Sequence, residues 1–388
     1  MRNNFKSKST LLVDLTYSCN LRCKHCYNSN LLSTKCTDMK VSKLDEIIYK
    51  YNIGHVHFIG GEPLMHKKFK EIIESLSKNY IISVNTNGLL IDDVGVEFLV
   101  THIDEMTISL DGLSPYTNDM IRGKNTFNIV YSNIKKILAA KERLKSNILI
   151  NIASVITPDN VNEFLDIERF RIKGIDNYLF MTLYYEGNAK NYDANDKFYY
   201  DYSQLIEKLS KLDGNYIVDT TPLAEYIFGY KETGCMCNGN KIKYSDSSGN
   251  IYKCNAEKQY EIKNNNFKEK FFIDDNHKVC KFCRFKIRCN FCEYGLYFSR
   301  HNYCEYILKY LYNLYNFITL DNDIKYILYK NKIILFNFKT RVRVEFYTDE
   351  FFENVVIENN ALFLKDVNNY RFNAKYFKKI ITLRGNYD

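Results

Sequence analysis

"LLVDLTYSCNLRCKHCYN", residues 11–28, decides how the rest of the chain is read. A β-branched apolar run ends in a loop that carries Cys19, Cys23 and Cys26 at spacings of three and two. Three thiols are an awkward number. Tetrahedral zinc and a fully ligated iron–sulfur cluster take four ligands, and disulfides need an even count. A 4Fe–4S cluster held by three cysteines leaves one iron without a protein ligand, open to a small molecule. On these residues alone, a partial zinc site or plain buried thiols remain the alternatives.

Outward from this loop, short β-branched runs alternate with amphipathic stretches. Strands are expected at "LLVDLTY" (11–17), "HVHFIGG" (55–61), "IISVNTNG" (81–88), "EMTISLDG" (105–112), "ILINIASVI" (148–156) and "YLFMTLYY" (178–185). Between them, "KVSKLDEIIYKY", "FKEIIESLSK" and "TFNIVYSNIKKILAAKERL" place apolar residues three and four apart, the helical period, with Asn125 or Thr126 as the N-cap of the last. Six strand–helix repeats imply an α/β fold with a parallel sheet, open or curled into a partial barrel. Chemistry in such folds collects at the C-terminal ends of the strands. The cysteine loop, "GGEP", "NTNG" and "SLDG" all fall there.

Composition narrows the class. The chain has 388 residues, 46% apolar and 26% charged, with a net charge of +8, no Trp and 33 Tyr. No apolar run is long enough to span a bilayer, and the basic start "MRNNFKSKSTLLVDL" is broken by Asp14 with no small-residue cleavage site after it. The chain is read as cytoplasmic, where clustered cysteines signify metal rather than disulfides. Between Cys235 and Cys292 stand twelve Lys or Arg against six Asp or Glu, a basic surround that offsets the negative charge of thiolate-bound clusters. No nucleic-acid-binding motif accompanies it.

The Cys-x3-Cys-x2-Cys loop after a first strand, followed in order by the later motifs, resembles the radical S-adenosylmethionine (SAM) superfamily. The resemblance implies a partial (β/α)6 TIM-like barrel over residues 1–215. It also implies one 4Fe–4S cluster on Cys19, Cys23 and Cys26, and a set of SAM contacts. Gly60, Gly61, Glu62 and Pro63 would receive the methionine ammonium, the glycines by close backbone approach to the ligand and Glu62 by its charge. Asn87 follows the third strand. Ser109 and Asp111, with Arg122 beyond them, would hold ribose and carboxylate, Arg122 by its fork. Val155 in "ASVITPDN" would lie near the adenine. His25 is read as packing over the cluster, and His55 and His57 as strand residues.

After residue 215 the periodicity fades and eight cysteines appear within 235–304. Cys237-x11-Gly249-x4-Cys254, then Cys280-x2-Cys283-x5-Cys289-x2-Cys292 and Cys304, resembles the SPASM domain of peptide- and protein-modifying radical enzymes. It departs from that pattern in a shorter third gap and an extra Cys235. By resemblance, Cys235, Cys237, Cys254 and Cys292 hold one auxiliary cluster, and Cys280, Cys283, Cys289 and Cys304 a second. Paired structural zincs are the alternative. The Cys-rich domain is expected over 216–305. Residues 306–388 then give a Tyr-rich helix and a small antiparallel sheet from "IKYILYK", "KIILFNF" and "RVRVEFYT". Cys36 is left as an inert thiol.

The resemblance implies an enzyme that cleaves SAM reductively and takes hydrogen from a precursor peptide or protein, with an electron donor such as ferredoxin or flavodoxin. A thioether or side-chain crosslink is the favoured product. Formylglycine formation by an anaerobic sulfatase maturase is the alternative, and a non-catalytic metal-binding module is the reading from another class. The eighteen residues ahead of the triad are too few for a leader-peptide domain, so recognition is expected from 306–388 or from another protein.

Overall fold

The computed structural model describes residues 9–34, 37–212, 215–219, 242–252 and the strands within 318–364. Six parallel strands appear where the alternation placed them: β1 (Ser9–Thr16), β2 (Ile53–Gly60), β3 (Ile81–Thr86), β4 (Glu105–Ser109), β5 (Leu149–Ile156) and β6 (Asn177–Thr182). They adjoin in sequence order, the signature of repeated βα units. The helices among them are α1 (Ser29–Thr34), α2 (Val41–Lys50), α3 (Phe69–Leu76), α4 (Ile91–Val94), α5 (Val96–His102), α6 (Pro115–Arg122), α7 (Thr126–Arg143), α8 (Val161–Phe164) and α9 (Asp196–Lys211). The sheet draws on the next segment at both edges. β7 (Tyr216–Asp219) pairs with β6, and β8 (Ile242–Ser245) pairs in parallel with β1, while β9 (Ile251–Tyr252) completes a nine-stranded sheet.

One apolar core holds the sheet to its helices. Val56 and Phe58 of β2, Ile82 and Val84 of β3, and Met106 and Ile108 of β4 join the buried faces of α2, α3, α5, α7 and α9 in a single cluster. In α3 the buried positions are Phe69, Ile72, Ile73 and Leu76, a helical stripe whose burial contributes roughly 1.5–3 kcal/mol per side chain. Because helices cover one face throughout, the alternate residues of each strand face inward, as in a partial barrel. The expected N-cap of α7 differs in detail. Asn125 takes a left-handed conformation (φ 65°) and caps nothing with its side chain. Asp119 of α6 does the work instead, accepting from Phe127 N–H at 2.8 Å and Asn125 N–H at 2.6 Å.

The inward positions carry a polar belt near the N-terminal ends of the strands. Thr10 Oγ1 lies 3.4 Å from His55 Nδ1 and His55 Nε2 lies 2.7 Å from Ser83 Oγ, which donates to Glu105 Oε2 (3.0 Å). From the other side, Asn177 Nδ2 donates to Asn151 Oδ1 (2.8 Å) and Asn151 Nδ2 to Glu105 Oε1 (2.7 Å). Both arms of the belt end on Glu105. Further along the chain, β10 (Ile318–Thr319), β11 (Ile324–Tyr329), β12 (Lys332–Asn337) and β13 (Arg343–Tyr347) form a four-stranded antiparallel sheet. β14 (Val355–Glu358) and β15 (Ala361–Leu364) form a separate hairpin pair.

Candidate functional site

The loop between β1 and α1 is strapped to the ends of other strands by backbone and amide contacts. Gly61 N–H donates to Thr16 O and Glu62 N–H to Ser18 O, both at 2.8 Å. Asn87 Nδ2 donates to Asn20 Oδ1 (2.7 Å), and Lys24 N–H to Ile121 O (2.8 Å). Beyond β6, Asn188 reaches Cys26 O with its N–H (3.0 Å) and Cys23 O with its Nδ2 (3.1 Å). The straps hold Cys19, Cys23 and Cys26 on one half-buried loop, with Cys19 and Cys26 packed on Tyr17, Leu31 and Leu32. Burial pushes the Cys23 thiol up to about 12 and that of Cys26 to about 11, and raises Cys19 as well. Arg122 pulls Cys23 and Cys26 the other way without prevailing. Such thiols stay protonated at neutral pH until a metal displaces their protons.

The "GGEP" turn fits a different physical reason from the one its sequence suggested. Gly60 has φ +127°, and a Cβ there would lie 2.5 Å from Thr16 O; one on Gly61 would lie 2.3 Å from Ser18 O. The close approach that demands glycine is therefore to the cysteine loop's own backbone. Glu62 is fully buried, and its carboxylate already accepts three internal hydrogen bonds. These come from Thr86 Oγ1 (2.8 Å) and Leu64 N–H (3.1 Å) on Oε1, and from Asn87 N–H (2.7 Å) on Oε2. A carboxylate has about four acceptor sites, so roughly one remains for an external donor. Desolvation pushes Glu62 up to about 7 despite these bonds. Pro63 is buried at the start of a 3-10 turn, Pro63–Met65.

Asn87 bridges two motifs, with its N–H on Glu62 and its amide on the cysteine loop. Ser109 ends β4, half-buried, beside Ala153 of β5. Asp111 is the most engaged residue of the rim. Its Oδ1 accepts from Val155 N–H (2.8 Å), and its Oδ2 lies 2.6 Å from both His25 Nε2 and Arg122 Nε. Burial alone would raise its carboxyl, but Arg122 and then His25 reverse that and bring it down to about 2. His25 thus pairs with an acid across the rim, a contact its sequence reading did not include. Arg122, itself only 7% exposed, closes α6 and faces Asp111 and the cysteine loop together. Val155 adjoins the small apolar cluster of Leu183, Ala189 and Tyr192.

His55 and His57 lie in β2, hydrogen-bonded to Ser83 and Asn85, as their reading as strand residues expects. Sequence reasoning missed Asn118, Asn160 and Asn188. Asn118 Oδ1 accepts from Asp111 N–H (2.9 Å), and Asn160 Nδ2 donates to Asp111 O (2.9 Å) and Val155 O (2.8 Å). Asn160 ends the quoted "ASVITPDN" and was within reach; Asn188, 165 positions from Cys23, carries no local signal. Cys36, Cys235, Cys237, Cys254, Cys280, Cys283, Cys289, Cys292 and Cys304 lie outside the described residues.

Among the described residues, no three His, Cys, Asp or Glu side chains are disposed to hold a single metal ion. The triad's donor chemistry, three half-buried thiols with no fourth cysteine among the described residues, fits a 4Fe–4S cluster with one open iron. The Glu62 carboxylate and Arg122 fit the ammonium and carboxylate of an amino acid.

A parallel partial barrel with a three-cysteine loop at its C-terminal rim is the architecture of a radical SAM domain. Residues 13–171 match the model of the Radical SAM superfamily. The mycofactocin maturase MftC of Mycobacterium tuberculosis is 31% identical over 140 residues, 34% of this chain and 34% of that protein. The chain thus spans about a third of that maturase's length. A probable GTP 3',8-cyclase of Methanococcus aeolicus is 26% identical over 210 residues, 52% of this chain and 67% of that protein. Two solved structures share the fold. Streptococcus suis SuiB, solved with S-adenosylmethionine, superposes with a TM-score of 0.53 at 18% identity, over 68% of this chain and 63% of SuiB. anSMEcpe, solved with AdoMet and a Cp18Cys peptide, gives 0.55 at 21% identity, over 79% of this chain and 97% of that one. No helix among the described residues is long and apolar enough to cross a membrane.

Proposed function

We propose that this chain is a radical SAM enzyme that modifies a ribosomally made peptide or protein. The observation that carries the reading is the strapped loop of three thiols set among Glu62, Asn87 and Arg122 at one rim. A 4Fe–4S cluster on Cys19, Cys23 and Cys26 would supply the one-electron reducing chemistry that cleaves SAM to methionine and a 5'-deoxyadenosyl radical for hydrogen abstraction from the substrate. The chain's own residues bind and orient the cofactor. Glu62 offers its remaining acceptor site to an ammonium, and Arg122 offers a fork to a carboxylate. Gly60, Gly61 and Pro63 shape the turn that delivers Glu62, while Asn87, Ser109 and Val155 line the approach of the nucleoside half.

The maturase relative and the peptide-bound neighbour support a peptide as substrate, while the probable GTP 3',8-cyclase relative supports a nucleotide as the rival. The later cysteines would hold two auxiliary clusters in the sets of four given above, so anaerobically reconstituted protein is expected to carry on the order of 12 irons. Stoichiometric zinc in their place would contradict that part. A one-electron donor such as ferredoxin or flavodoxin would complete the system. The test is anaerobic turnover with peptides encoded beside this reading frame, followed by mass spectrometry. Loss of two hydrogens at a crosslink supports the favoured product. Conversion of Cys or Ser to formylglycine would replace it, and turnover of a nucleotide without any peptide would overturn the substrate class.

A further inference from the structure

Asp111 sits where the motif order suggested a ribose ligand, yet its carboxylate is occupied within the protein. It is fully buried, its Oδ1 is taken by Val155 N–H, and its Oδ2 is shared at 2.6 Å by His25 and Arg122. Its backbone is held as well, by Asn118 on its N–H and Asn160 on its carbonyl. A ribose hydroxyl would have to displace one of two charge-assisted contacts in a dry site. Three elements meet on this one group: the cysteine loop through His25, the end of α6 through Arg122, and β5 through Val155.

The contact with Arg122 has a particular geometry. Nε lies 2.6 Å from Oδ2 but is not aligned for a hydrogen bond, so the pair is held by charge. Asp111 is the acid that Arg122 pairs with among the described residues. One nitrogen of the fork therefore faces the anchor, and the other two are left for a ligand carboxylate.

We propose that Asp111 is a positioning residue: it sets Arg122 for the carboxylate of an amino acid ligand and ties down the cysteine loop through His25. This rests on the radical SAM reading above, and it assigns Asp111 no contact with the nucleoside half of the cofactor. The two halves of SAM can be offered separately as L-methionine and 5'-deoxyadenosine. On anaerobically reconstituted full-length protein, Asp111→Asn is expected to weaken methionine binding by about 10-fold or more, as for loss of a charge-assisted contact. 5'-Deoxyadenosine affinity should stay within about 2-fold. In an Arg122→Gln background, adding Asp111→Asn should change methionine affinity by less than about 2-fold, since coupled residues are not additive. His25→Phe keeps an aromatic ring and cuts only the tether. It should speed iron loss to a chelator while methionine affinity holds.

A fall in 5'-deoxyadenosine affinity in Asp111→Asn, or additive effects with Arg122→Gln, would overturn the positioning role. Unchanged iron loss in His25→Phe would remove the tether. If Asp111→Asn retains no iron, Asp111→Glu carries the charge on a longer arm, and the same contrast between the two probes decides. Failure of the wild-type protein to bind either probe is a different result, and counts against the radical SAM reading itself.

Discussion

The inner face of the sheet carries polar side chains at two levels, and they are satisfied in opposite ways. Near the strand N-termini, the belt from Thr10 to Asn177 closes on itself, each group matched to a neighbour and both arms ending on Glu105. At the C-terminal rim, titratable groups are buried with pKa values displaced from their ordinary ones. Glu62 is pushed up to about 7, Asp111 is held down to about 2, and Cys23 is raised to about 12. A belt that needs nothing further is a structural device. A rim whose thiols lose their protons only to a metal, and whose acid sits half-charged near neutral pH, is built to be completed.

The largest effect should come from the triad. Replacing Cys19, Cys23 and Cys26 by Ala together is expected to remove about four irons and abolish SAM cleavage. The barrel's circular dichroism should survive, since the core cluster does not include these side chains. Retention of full iron would break the distinction between the two levels.

Next in size is Glu62→Ala, which strands the hydroxyl of Thr86 and the N–H groups of Leu64 and Asn87. At ~1–3 kcal/mol for each buried unsatisfied donor, a loss of about 3 kcal/mol or more is expected in denaturant unfolding. Glu62→Gln keeps an acceptor in place and should lose much less. A mild Glu62→Ala would mean that its carboxylate serves a ligand rather than the turn.

Belt disruption should be smaller and silent in function. Glu105→Ala leaves Ser83 and Asn151 without their acceptor, for about 2 kcal/mol of stability. Iron content and SAM affinity should match wild type, and a change in SAM affinity would extend the functional region down the barrel.

The smallest effect is a fraction of a proton. A carboxyl whose folded pKa is raised to about 7 is about half protonated at pH 7, and an ammonium brought beside it favours the charged form. SAM binding at pH 7 should then release roughly half a proton from Glu62, less as pH rises above 7. Calorimetry in buffers of different ionisation enthalpy reads it, and Glu62→Gln should abolish it. Proton uptake would contradict the placement of the ammonium.

The rim's location was legible because β-branched runs and cysteine spacing are both local signals, and strand order then brings the loops together. The partners of each rim residue were not. An acid such as Asp111 reads the same in sequence whether it meets a ribose or a guanidinium, and Glu62 likewise whether it holds a ligand or its own turn. The glycine pair was read as an approach to ligand, and its close approach to Thr16 and Ser18 had no local signal. The belt left a trace that could have been followed: His55 and His57, Ser83 and Asn85, and Glu105, Thr107 and Ser109 repeat every second residue in three adjacent strands. That is the period of one sheet face, and a polar face toward the barrel interior follows from it.

The account stands on three thiols holding a cluster with a position left for SAM. The direct measurement is the electron paramagnetic resonance spectrum of the reduced, reconstituted protein before and after SAM is added. A component whose shape changes with SAM, and which disappears when Cys19, Cys23 and Cys26 are replaced by Ala, is the predicted result. A spectrum indifferent to SAM in the wild-type protein would contradict it.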